Sequence, residues 1–276
     1  MNGRFWGVAL IAAAGLAVAA SKPDGGRILK AEGGVTVERG GTTLNAEKGT
    51  VLNQGDTVRT SGDGSKAQWW MQDDSLFVLP TNSTLHIDEY AVPHNNDQSS
   101  GRSFMSLLKG GMRTVTGFIA RNNPSGYKIT TPVATMGVRG TDFSAVLCQD
   151  DCKQRLQGPA MRKMKLRHFF GMPHLVKVAG GGQTIANGLY IKVDKGTVSM
   201  CNSGGCADIS FSVAAQAGGG SCGSAAAGQK PGPIKCPPLF GKMGADFDLE
   251  FDFNAGDIDI FRDLDRIIPE PPGSRS

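Results

Sequence analysis

The sequence predicts an all-β protein: an antiparallel β-sandwich or a short solenoid-like β-stack, with a disulfide-containing extension and a flexible C-terminal tail. Three observations carry this. Apolar residues recur with a period of two, as where Ala67, Trp69 and Met71 alternate with Gln68, Trp70 and Gln72, the pattern of a strand with one face in a core. Glycine is abundant at 39 residues while aromatics make up only 7%, a balance suited to turns between short strands rather than long packed helices. Turn clusters at Gly40-Gly41, Gly55-Asp56 and Ser61-Gly62-Asp63-Gly64 cut the alternation into pieces too short for helices. At 276 residues, 20% charged and 39% hydrophobic, the chain has material for one large domain or two small ones.

From the N-terminus, Arg4 precedes an uncharged apolar stretch from Phe5 to Ala20 that ends in Ala17-Val18-Ala19 and Val18-Ala19-Ala20. Residues 1–20 read as a signal peptide removed near Ala19 or Ala20, which places the mature chain in the periplasm or outside the cell. A retained anchor needs about 20 apolar residues, more than are present, and the first cysteine is Cys148, so no lipid anchor or stable membrane insertion is expected.

Residues 29–147 read as one β domain. Val35 and Val37 open the alternation, Asp73-Asp74-Ser75 marks a hairpin, and Leu76, Val78, Leu85 and Ile87 continue the period. A polar loop covers residues 94–102, and Leu107-Leu108-Lys109-Gly110-Gly111 begins the next strands. Tyr127 to Thr131 is extended up to Pro132, because the residue before proline is driven out of the helical region. Residues 148–211 read as a basic insertion followed by strands that complete the domain, at Tyr190-Ile191-Lys192-Val193 and from Thr197 to Met200. Residues 212–245 are Gly, Pro and Cys rich and read as a linker. Residues 246–276 form an acidic-aromatic tail in which Phe247, Leu249, Phe251 and Phe253 alternate with acids.

Charge is distributed unevenly. The formal net charge of +4 is too mild to imply nucleic acid. The stretch from Lys153 to Lys177 contains no acid, whereas from Asp246 to Glu270 nine acids face only Arg262 and Arg266. The tail is therefore expected to add a strand to an exposed sheet edge, in its own chain or another's, with the basic stretch as its electrostatic partner.

The six cysteines, Cys148, Cys152, Cys201, Cys206, Cys222 and Cys236, all fall in the second half. In an exported chain an even number reads as disulfides. Local closure pairs them in sequence order. Pairing between the first two clusters is also open, as is a zinc site built from Cys148, Cys152, Cys201 and Cys206.

Several segments resemble the FecR domain of bacterial periplasmic regulators. They are Gly34-Val35-Thr36-Val37, Gly55-Asp56-Thr57-Val58-Arg59-Thr60, Lys109-Gly110-Gly111 and the run from Thr131 to Phe143, Thr-Pro-Val-Ala-Thr-Met-Gly-Val-Arg-Gly-Thr-Asp-Phe. Asp74 departs from the family, whose hairpin has glycine there. The resemblance implies a β-rich periplasmic module that contacts other proteins or envelope material, with Gly55, Asp56, Thr131, Pro132, Gly137, Arg139, Gly140, Thr141 and Phe143 as its structural signature. Classical members look like membrane-crossing proteins with a cytoplasmic segment that controls a sigma factor. This sequence shows no such segment, so relay of an iron signal is not expected of it.

The expected function is a non-catalytic protein-interaction module of the periplasm; the alternative is a cell-wall or glycan-binding scaffold. Partner-binding candidates are Trp69, Trp70 and Arg139. Adjacent tryptophans in a strand face opposite ways, so one enters the core and the other offers an aromatic surface. Arg139, between Gly137 and Gly140, reads first as an internal clamp held by crowded backbone, and second as a recognition residue. No nucleophile elbow, metalloprotease helix or phosphate loop is present, so no enzyme activity and no cofactor are expected. Met161, Met164, His168, Met172 and His174 are soft ligands of the kind that hold copper, but they lie in a basic stretch that opposes a cation, and no metal is assigned. The expected partner is a periplasmic or outer-membrane protein, or cell-wall glycan in the alternative.

Overall fold

The computed structural model describes residues 25–93, 98–150, 152, 185–211, 221–237 and 239–240. Residues 1–20, read as a signal peptide, the basic stretch with its methionines and histidines, and the acidic tail lie outside the described residues. Fifteen strands join in one hydrogen-bonded network: β1 (Gly25–Arg39), β2 (Thr42–Asn45), β3 (Val51–Asn53), β4 (Thr57–Met71), β5 (Leu76–Leu79), β6 (Thr84–Ala91), β7 (Arg102–Val115), β8 (Tyr127–Thr130), β9 (Thr135–Val138), β10 (Asp142–Cys148), β11 (Gly188–Lys195), β12 (Thr197–Asn202), β13 (Gly205–Ser210), β14 (Ser221–Ala225) and β15 (Gly232–Ile234). One short helix, α1 (Phe118–Asn122), follows β7.

Three long strands organise the network. The C-terminal part of β1 pairs with β2 and with the start of β4, while its N-terminal part pairs with β3 and the end of β4. In the same way β4 runs from β6 to β5. β7 pairs first with β6 and β8 and then with β5 and β10. Two half-sheets result. The first continues from β7 through β8, β9, β12 and β13, and the second through β10, β11, β14 and β15. Of the two arrangements the sequence allows, this is the sandwich. All described pairs are antiparallel except β7 with β8.

The long strands can serve both halves because they bend. β1 has register shifts between Ile28 and Lys30 and between Glu32 and Gly34, where Gly33 takes φ +65°. Within β7, Gly110 takes φ +77° and lies so close to Ser83 that a Cβ would overlap its side chain. The Gly110-Gly111 pair thus lies at a bend inside one strand, not at the start of a strand as the sequence suggests.

The faces between the half-sheets form a single core. Val37, Val58, Leu85, Ile87, Met136 and Val198 of the first meet Ile28, Trp69, Phe77, Phe143, Leu147 and Ile191 of the second. Trp69 is fully buried and stacks on Phe77 with ring centroids 5.3 Å apart.

The far edges also approach one another. Asn202 donates its side-chain amide to the carbonyls of Ala226 (2.9 Å) and Gln229 (2.7 Å). A Cβ on Gly223 would lie 2.5 Å from Ile209 Cγ1 and 2.9 Å from Met200 Cε. This corrects the linker reading of residues 212–245 for its described part: β14 and β15, between Ser221 and Ile234, extend the second half-sheet through β11. The small residues that suggest flexibility instead permit close approach.

The cysteines pair in sequence order, Cys148–Cys152, Cys201–Cys206 and Cys222–Cys236, which disposes of the zinc alternative because no thiolate is left. The first and third bonds belong to a second apolar cluster with Val146, Ile185, Leu239 and Phe240 on the outer face of the second half-sheet. Replacing Cys222 and Cys236 together by alanine opens a loop of roughly 15 residues and is expected to cost about 3 kcal/mol. The double variant should show a lower urea midpoint and faster proteolytic cleavage between positions 222 and 236; unchanged values for both would rule out a stabilising role for this bond.

Candidate interaction face

Most signature residues build the frame. Gly55, at φ +85°, donates its N–H to the Ile87 carbonyl (2.8 Å). Asp56 is fully buried and accepts two hydrogen bonds from Arg39, from Nε at 2.8 Å and Nη2 at 2.6 Å, and a third from the Asn53 N–H at 2.8 Å. This bidentate contact raises the Arg39 pKa and ties the end of β1 to the turn before β4. Thr131 Oγ1 accepts from the Ala134 N–H (3.1 Å) and donates to the Ala134 carbonyl (2.8 Å), closing the β8–β9 turn at exposed Pro132. The Thr141 N–H donates to Thr116 Oγ1 (2.8 Å), and Phe143 lies in the core.

The hairpin Asp73-Asp74-Ser75 is a second internal anchor. Asp74 takes φ +63°, the conformation its place in the turn demands. Asp73 is fully buried. It accepts hydrogen bonds from Tyr90 Oη (3.0 Å) and Ser75 Oγ (2.8 Å), and its own N–H donates to Tyr90 Oη (2.8 Å). Burial holds the Asp73 carboxyl above the usual carboxylate range, against the lowering effect of the Ser75 and Tyr90 hydrogen bonds. It also raises the Tyr90 hydroxyl, with the negative charge of Asp73 acting in the same direction. Sequence reading takes these residues as a turn and misses Tyr90, whose partner lies 17 positions away in the chain.

Gly137 and Arg139 behave differently from the rest of the signature. Arg139 is exposed and makes no hydrogen bond or ion pair among the described residues. The internal-clamp reading is therefore corrected. A Cβ on Gly137 would meet nothing within 4 Å, and its φ lies outside the left-handed region, so neither crowding nor geometry requires glycine there. The arginine placed inside is Arg121 of α1, half-buried, with its pKa lowered by desolvation against the opposing charges of Asp74 and Asp73.

Gly137 belongs to a flat outer face. Strand register places Phe104, Lys128, Gly137, Ser199 and Asp208 in one row across β7, β8, β9, β12 and β13. The next row runs across eight strands as Glu38, Thr57, His86, Ser106, Thr130, Thr135, Cys201 and Cys206. The Lys128 ammonium lies 4.6 Å above the centroid of the half-buried Phe104 ring, a contact worth about 0.5–1 kcal/mol at an exposed site. His86 Nδ1 is 2.9 Å from Thr57 Oγ1, whereas Nε2 is 3.9 Å from Asp88, too far for that carboxylate to orient the ring. Gly137 thus makes a notch in a hydroxyl-rich surface, flanked in register by the aromatic-backed Lys128 and followed two positions on by the exposed Arg139.

The tryptophans divide as expected in part. Trp69 is core and Trp70 points outward, but Trp70 is half-buried between Arg27 of β1 and Leu76 of β5. Sequence reading overlooks Phe104 and Lys128, which become neighbours only through the parallel β7–β8 pair. No described helix is long and apolar enough to cross a membrane. Among the described residues no group of histidine, cysteine and acids is arranged to hold a metal.

No curated protein matches the chain. Residues 56–156 match the family described as FecR protein, a segment that starts at the buried Asp56 and takes in the Asp73–Tyr90 anchor, the Gly137 notch and Arg139. The chain is thus a FecR-domain-containing protein.

Proposed function

We propose that this protein is an exported, non-catalytic interaction module of the bacterial periplasm that engages a protein partner through the outer face around Gly137. The observation that carries the reading is the contrast within the signature. Asp56, Thr131, Thr141 and Phe143 serve the frame, whereas Arg139 faces solvent two positions after Gly137, a glycine that the backbone does not need. Glycine within a strand weakens it and marks a place where another backbone or a ligand comes close. The three disulfides support export, because such bonds persist in oxidising compartments. With Lys128 and Arg139 beside the notch, the partner presents an acidic segment.

Introducing Lys128→Glu and Arg139→Glu together tests this. Both residues are exposed, so stability should fall by no more than about 1 kcal/mol, the size of the lost Lys128–Phe104 contact. Crosslinking in the periplasm from a photoreactive residue at position 135 should capture a defined envelope protein with the parent and lose at least tenfold of it with the double variant. Equal capture by both, or capture of cell-wall fragments alone, would overturn the proposal.

A further inference from the structure

The three disulfides differ in what surrounds them. Cys148 and Cys152 are each 2% exposed and Cys222 3%, and with Cys236 packed against them they belong to the second apolar cluster. Cys201–Cys206 has no such cover. It joins β12 to β13, the outermost strand of the first half-sheet, whose one ladder partner among the described strands is β12. Cys206 is exposed and Cys201 half-buried, and both lie on the outer face, in the row that also contains Thr135. The hairpin does not depend on this bond for its shape. Register pairs continue on both sides of it, Met200 with Ala207 and Asn202 with Gly205, and β12 is held on its other edge by β9. The hydroxyls of Thr197 and Ser210 are hydrogen-bonded at 2.8 Å. At the turn, Asn202 Oδ1 accepts from the Gly204 N–H (2.8 Å) while its amide holds the carbonyls of Ala226 and Gln229. The two sulfurs therefore stay on neighbouring positions when the bond opens, placed to close it again.

We infer that Cys201–Cys206 is a redox disulfide that exchanges reversibly with a protein dithiol of the thioredoxin type. Exposure selects it over the other two, because exchange requires a thiolate to reach a sulfur, and exposed disulfides are the more readily reduced ones. Cys206, exposed on the edge strand, is the sulfur open to attack, and Cys201, half-buried between β9 and β13, is the leaving group. The incoming thiolate bonds to Cys206 Sγ as the bond between the two cysteines breaks, and its electron pair leaves with Cys201 Sγ, which takes up a proton. The second thiolate of the dithiol then attacks the sulfur of its own first cysteine and breaks the mixed disulfide. Cys206 is released as a thiolate and protonated. This protein gains two electrons and two protons, and the dithiol becomes a disulfide; run backwards, the same steps close the Cys201–Cys206 bond. Since Cys201 stands in register with Thr135, the exchange takes place on the same outer face as the Gly137 notch, yet it needs no partner seated there.

Equilibration of the folded full chain in graded glutathione redox buffers tests this, with acid quenching, alkylation and each cysteine read by peptide mass spectrometry. Cys201 and Cys206 should become reduced at a ratio of reduced to oxidised glutathione roughly tenfold or more below that needed for either other pair, with the circular dichroism spectrum unchanged. A thioredoxin whose resolving cysteine is replaced by serine should be trapped as a mixed disulfide on Cys206 of the full chain. Replacing Cys201 and Cys206 together by alanine should abolish that trapped species and shift the urea midpoint less than the double replacement of Cys222 and Cys236 does. Reduction of all three bonds at one glutathione ratio would overturn the inference. So would opening of Cys201–Cys206 only together with loss of the folded signal, or trapping at any cysteine other than Cys206.

Discussion

Trp69→Ala is expected to destabilise the protein by about 3–5 kcal/mol, the range for truncating a fully buried large aromatic, and to lower Tm by on the order of 10 °C. The magnitude follows from its position. Trp69 lies on β4, one of the strands shared by both half-sheets, and is stacked on Phe77 of β5. Trp69→Phe should behave very differently. The indole N–H is buried with no hydrogen-bond partner among the described residues, so removing it offsets part of the lost volume, and the cost should fall below about 1.5 kcal/mol. Denaturant unfolding of the two variants checks both figures; equal losses would mean that stacking and volume are not what Trp69 supplies.

Asp73→Ala should cost about 3 kcal/mol, because it strands the hydroxyls of Tyr90 and Ser75 in a buried site, each worth about 1–3 kcal/mol when left unsatisfied. Asp73→Asn keeps an acceptor for Tyr90 and should cost less than half as much at neutral pH. The two carboxamide and carboxyl forms also separate by pH. The folded-state pKa of Asp73 is raised, chiefly by desolvation, so above that value the native state buries a charge that the unfolded chain keeps in water. As pH falls through the raised pKa towards the ordinary value of about 3.9, the native state binds a proton that the unfolded state does not yet bind. The contribution of this group to stability therefore grows on acidification and is complete below the unfolded value. The charge of Asp74 adds a smaller push in the same direction as desolvation. Unfolding free energies of parent and Asp73→Asn, measured from pH 8 to pH 4, should shift in favour of the parent as pH falls. A pH-independent difference would show that Asp73 stays ionised throughout.

Period-two alternation was enough to read the strands from Val35 to Ile87, because one face of each meets the core and the other does not. The paired cysteines were legible for a similar reason, since short loops bring their ends together on their own. Long-range geometry was not legible. Gly110 and Gly223 look like turn and linker residues, and only the approach of Ser83 to one and of Ile209 to the other shows why glycine is required. For Arg139, the flanking glycines suggested crowding, but Gly137 has open space beside it and Gly140, at φ +59°, faces Arg121. The candidate face itself was hidden because Phe104 and Lys128 are 24 positions apart and meet only through the parallel pairing of β7 with β8.

The sharing of β1, β4 and β7 between the two halves has a consequence for how the molecule comes apart. Two independent sheets could melt one after the other, each leaving its partner folded. Here, loosening either half pulls on strands whose other ends are hydrogen-bonded in the second, so the described strands form one cooperative unit. The family segment, residues 56–156, cuts that unit on both sides: it loses β1, the main pairing partner of β4, and β11 to β15. The stretch recognisable by sequence is therefore smaller than the smallest piece expected to fold, and the boundaries of the physical domain are set by the strands that bend between its halves.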